Sequence, residues 1–146
     1  MNRYAEMRQR QQEELSAFPI QYAFSDRQFA EGMAALGLTP ADTDKIYKVP
    51  GGGFYRREDS QRFKDMMDRF GRELSEAIAA DLSGDGFIYE MFLYELDNHE
   101  FGYTMDTEET LAALGYTAEE VLGDTRLKRS IEKAVTEICG RNSQLH

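Results

Sequence analysis

Seventeen Lys and Arg against 27 Asp and Glu give this 146-residue chain a formal net charge of −10. Hydrophobic residues at 41% and aromatic residues at 12% exceed what a disordered acidic chain carries, so the charge decorates one folded domain spanning 1–146. The single Cys139 excludes an internal disulfide and directs the reading to a reducing compartment, the cytoplasm.

The opening residues MNRYAEMRQRQQEEL hold no apolar stretch of the kind a signal peptide needs. No run anywhere approaches the roughly 20 apolar residues of a membrane span. Residues 1–17 predict a loosely docked helix, with Tyr4, Met7, Leu15 and then Phe18 near one face. FPIQYAF places Phe18, Ile20, Tyr22 and Phe24 at alternate positions, the pattern of a short strand. Ser25 as N-cap, with Gln28 three residues on, opens a helix that runs to Leu36 and stops at Gly37. Thr39 and Pro40 predict a second short helix, with Asp42 at the positive end of its dipole. KIYKV and FYRR flank PGGG as two strands around a turn. Phe63, Met67, Phe70, Leu74, Ala77 and Ile78 stripe a long helix from Asp59 to Ala80. Leu127, Ile131, Ala134, Val135 and Ile138 stripe a last helix to Cys139, followed by a frayed tail at 141–146. Leu74 and Ile131 are placed in the core. Together these elements predict an α-dominated α+β fold of about six or seven helices with a small two- or three-stranded antiparallel element.

AALGLTPAD at 34–42 is echoed by AALGYTAEE at 112–120. Each reads as helix, Gly stop, Thr cap and acidic helix start, which is an αα-corner. A helix-turn-helix has the same outline, but Asp42 and Asp44 in one corner and Glu119, Glu120 and Asp124 in the other repel phosphates. Direct DNA binding is therefore disfavoured. DLSGDGFIYEMF at 81–92 sets Asp81, Ser83, Asp85, Gly86 and Ile88 at positions of a calcium loop, but Phe92 stands where the bidentate Glu belongs. The bland reading, a turn between helices with Asp85 capping the second, is preferred. PGGG lacks the Lys and Ser or Thr of a phosphate loop. Its flanks, Lys45, Lys48, Arg56 and Arg57, interleave with Tyr47, Phe54 and Tyr55 and form the alternative candidate, a basic and aromatic hairpin contacting nucleic acid.

Residues 1–72 hold 12 basic and 11 acidic side chains, whereas 73–146 hold 5 and 16. Between Glu73 and Thr125 there are 14 carboxylates and no Lys or Arg. Intervening apolar residues such as Phe87, Ile88, Met91, Leu96 and Leu111 supply a buried side. The interaction face is accordingly assigned to Glu90, Glu95, Asp97, Glu100, Asp106, Glu108, Glu109, Glu119 and Glu120. Such a face suits a basic protein surface, including the groove of a nucleic-acid-binding enzyme. Glu95 and His99, four residues apart, with Glu100 beside them, are the candidate for metal or proton chemistry. Two ligands do not make a site, so no metal, cofactor or catalytic residue is assigned. Cys139, beside the last apolar stripe and without a His in reach, reads as a packed thiol.

FSDRQFAEGMAALGLTPADTDKIYKVPGGGF, GFIYEMFLYELDNHEFGYT and DTEETLAALGYTAEEV together resemble a family of small, uncharacterised bacterial proteins found among the accessory genes of conjugative and other mobile elements. The resemblance covers nearly the whole chain. It implies a bacterial cytoplasm and a role in element maintenance or defence evasion, and it transfers no functional residue. The expected function is that of a non-enzymatic acidic interaction protein.

Overall fold

Capping chemistry and apolar periodicity set most element boundaries in the computed structural model, which describes residues 1–144. In chain order the elements are α1 (Arg3–Ala17), β1 (Ile20–Tyr22), α2 (Asp26–Ala35), β2 (Ile46–Val49), β3 (Gly53–Arg56) and α3 (Ser60–Ala80). They continue with α4 (Phe87–Asn98), α5 (Phe101–Thr104), α6 (Glu108–Leu114), α7 (Ala118–Gly123) and α8 (Thr125–Gln144). The protein has an α-dominated α+β fold with eight α-helices and one antiparallel sheet among the described residues. None of those helices is long and apolar enough to cross a membrane. Two residues of the tail expected at 141–146, Leu145 and His146, lie outside the described residues.

The chain divides into two compact units, residues 10–72 and residues 1–9 with 73–146. In the 10–72 unit the strand order is β1-β3-β2, with Gln21 opposite Phe54 and Tyr47 opposite Tyr55. Phe54 at 2% exposure and Met33 at 0% centre one apolar cluster with Leu36 and Ile46. Phe18, Tyr55 and Met66 form another, in which the Tyr55 and Phe63 rings stack at 4.6 Å. Ser25 caps α2 as expected, accepting the Gln28 N–H at 3.2 Å. Thr39 and Pro40 do not start a helix. Instead the Asp42 carboxylate accepts from the Thr39 N–H at 2.8 Å and its hydroxyl at 3.0 Å, closing a turn that leads only to one 3₁₀ turn at Thr43–Lys45. Those two bonds hold the Asp42 carboxyl below the usual carboxylate range.

In the other unit α4 is the central helix and packs on α8. Ile88, Met91, Phe92 and Leu96 have no exposed surface and meet Leu127, Ala134 and Ile138. Tyr4 and Met7 of α1 belong to the same core at 3% exposure each. Leu74 and Ile131, expected inside, are half-buried and pack on the edge of this core. Arg126 donates to the carbonyls of Ile78 and Asp81, tying the first turn of α8 to the end of α3 and the residue after it. Gly115, at φ +78°, ends α6, and its turn mirrors that of Gly37, at φ +76°. In both, the following apolar residue donates back to the helix, Leu38 to Met33 and Tyr116 to Leu111. Only the second corner continues into a helix, because Thr117 and Glu120 form a reciprocal capping box there.

Candidate functional site

The acidic residues assigned to one face divide by what they touch. Glu95, on α4, is 5% exposed. Its Oε1 accepts from the Tyr4 hydroxyl at 2.9 Å, its Oε2 lies 3.3 Å from His99 Nε2, and its backbone carbonyl accepts from the Thr110 hydroxyl. Burial and the Glu95 carboxylate push the Tyr4 phenol well above its ordinary range. Glu95 is therefore a buried structural acid and contributes nothing to a surface. Glu90 pairs with Arg3 at 2.8 Å and Asp97 with Arg141 at 3.1 Å. Elsewhere in the acidic stretch, Asp85 pairs with Arg129 and Asp124 accepts from the first N–H groups of α8.

Glu100, Asp106, Glu108, Glu109, Glu119 and Glu120 remain exposed. Among the described residues none of the six pairs with a Lys or Arg. Glu100, Asp106 and Glu109 line a polar cleft of about 310 Å³ together with Asn98, His99 and Thr104. Asp106 accepts the Glu108 N–H at 2.9 Å, which ties Glu108 to the rim. His99 Nδ1 lies 3.8 Å from Glu109 Oε2, so the imidazole sits between the buried Glu95 and the rim. Glu100 and Met105, on either side of α5, both take left-handed backbone at φ +59° and φ +58°. Non-glycine residues adopt that region at a cost of roughly 1 kcal/mol or more, and it recurs at functional sites. Neither break is marked by a glycine at its own position.

The basic hairpin is largely committed to its own unit. Arg56 pairs with Glu58 at 3.2 Å and with the buried Asp59 at 3.1 Å. Arg57 donates to the Ile46 carbonyl and lies 4.6 Å over the Tyr47 ring, while Lys45 pairs with Asp42 at 3.5 Å. Lys48 is exposed without an ion pair among the described residues.

A family of unknown function (DUF7659) matches residues 3–137. The chain belongs to this family. No curated protein and no solved structure matches it.

The remaining motifs of this DUF7659 chain resolve as structural. Asp81 accepts the N–H groups of Gly84 at 3.1 Å, Gly86 at 3.1 Å and Ile88 at 3.0 Å. Both of its oxygens are thus committed to the loop before α4, and the capping role expected of Asp85 falls to Asp81. Among the described residues, no group of three or more His, Cys, Asp and Glu side chains is arranged to hold a metal ion. Cys139 is half-buried against the core of its unit. Sequence reasoning missed Tyr4 as the partner of Glu95, because a pairing over 91 residues leaves no local signal.

Proposed function

We propose that this chain is a non-enzymatic interaction protein whose exposed carboxylates engage the basic, nucleic-acid-binding surface of a DNA- or RNA-handling enzyme. The observation that carries this reading is the set of six exposed carboxylates without a Lys or Arg partner among the described residues, three of them around one cleft. Acids elsewhere in the same stretch, such as Glu90 and Asp97, are neutralised by Arg3 and Arg141, so the excess negative charge concentrates from Glu100 onward. Helices and their capped turns hold these groups at fixed separations, as a phosphate backbone holds its charges. The resemblance to proteins of mobile elements directs the choice of partner to defence nucleases.

Co-purification from the native host with the wild type and with the quadruple variant Glu100→Gln, Asp106→Asn, Glu108→Gln, Glu109→Gln tests this. A partner that binds DNA, is held by the wild type, is lost by the variant and is displaced by duplex DNA is the expected result. A partner retained by both proteins at 1 M salt, where the screening length is about 3 Å, contradicts the reading.

A further inference from the structure

The groove between α6, α7 and α8 is lined mainly by apolar side chains, and the geometry points to a basic amphipathic helix of the partner as its occupant. This deepens the reading above and rests on it. Leu111, Val121, Leu122, Ile131 and Val135 line a cavity of about 470 Å³, within the range of about 300–1,000 Å³ typical of binding pockets. Leu122 is 66% exposed there, a large apolar side chain left in water at the groove's mouth. Thr107, Ala118, Glu132 and Thr136 complete the lining, which contains no Lys or Arg.

Charge selects the occupant. Glu132 lies in the lining itself, Glu119 and Glu120 share α7 with Ala118, Val121 and Leu122, and Glu108 follows Thr107. None of these four carboxylates pairs with a Lys or Arg among the described residues. An apolar floor with an acidic rim matches a helix that carries Leu or Ile at i, i+3, i+4 and i+7 and Lys or Arg on its flanks. A strand is disfavoured, because the groove is walled by helices and offers no sheet edge to extend. A second copy would bring the same acidic rim against this one, in a chain of net charge −10.

The probe is a synthetic peptide of about 18 residues, long enough to hold a helix, with Leu at those spacings and Lys elsewhere. A scrambled peptide of the same composition and an oligolysine of equal charge serve as controls. Binding is followed by fluorescence anisotropy and by amide NMR shifts. The amphipathic peptide is expected to shift the signals of Leu111, Val121, Leu122 and Val135. Leu122→Ser, at an exposed position that leaves the fold intact, is expected to weaken it about tenfold. Glu119→Gln with Glu132→Gln is expected to weaken it at low salt only. Equal binding of the scrambled peptide, or indifference to Leu122→Ser, overturns the groove while leaving the acidic face standing. Failure of the oligolysine as well as both peptides overturns both. A concentration-dependent dimer abolished by Leu122→Ser gives the groove to a second copy and also overturns the proposal.

Discussion

Tyr4 and Glu95 meet across 91 residues of sequence, and each solves the other's burial. Removing the acceptor leaves a phenol hydroxyl buried without a partner, so Glu95→Ala should cost about 2–3 kcal/mol, while Glu95→Gln, which keeps an acceptor, should cost less. Chemical denaturation of both variants checks this, and equal losses would mean that only side-chain volume matters. The Tyr4 phenol is raised first by burial and then by Glu95, so the folded state resists its ionisation. A group raised on folding contributes fully below its unfolded value and loses that contribution as pH rises. Stability should therefore fall as pH climbs from about 9 to 11, and Tyr4→Phe should flatten that fall. Burial raises Tyr89 and Tyr116 in the same direction, so the flattening is partial. Gly84 is similarly constrained, at φ +83° with room for no side chain. An added Cβ would lie 2.6 Å from Ser130 Oγ and 2.8 Å from the Arg126 carbonyl. Gly84→Ala should cost about 2–4 kcal/mol, read as a lowered melting temperature.

Among elements, the loop from Asp81 to Gly86 is held by hydrogen bonds from backbone N–H groups to the Asp81 carboxylate oxygens, which a calcium loop would give to the ion. Asp81→Ala removes three accepted bonds and should destabilise the start of α4 by about 2–3 kcal/mol. Calorimetric titration of the wild type with calcium should give no heat in the micromolar range, because ligand number and charge set that affinity and position twelve is Phe92. Micromolar binding abolished by Asp81→Ala would contradict this account of the loop. How well each element could be read followed from how local its cause is. The α3 stripe and the Ser25 and Gly37 caps are set by neighbours within four residues, and they appear where the periodicity puts them. The hairpin of β2 and β3 was equally legible around PGGG, whereas the pairing of β1 with β3 joins residues more than thirty apart and left no trace. The helix expected at Thr39 failed because Asp42 turned back onto Thr39 instead of facing a dipole.

At the scale of the molecule, the acidic stretch reads differently in sequence and in space. Counting residues marks 14 carboxylates as equivalent. Folding buries Glu95, spends Asp81 and Asp124 on backbone, pairs Glu90, Asp85 and Asp97 with arginines, and leaves Glu76 and the six from Glu100 to Glu120 in solvent. None of that sorting was legible, since it depends on Arg3 and on α8 meeting α4 and its preceding loop. The central claim is that these exposed acids bind a basic surface in competition with nucleic acid. Its most direct measurement is the dissociation constant for the co-purified partner as a function of salt, for the wild type and the Glu100, Asp106, Glu108 and Glu109 quadruple variant, with duplex DNA as competitor. The account predicts a steep loss of affinity with salt for the wild type, a shallower slope and weaker binding for the variant, and displacement of both by DNA. A flat salt dependence shared by the two proteins, with no displacement by DNA, would contradict it.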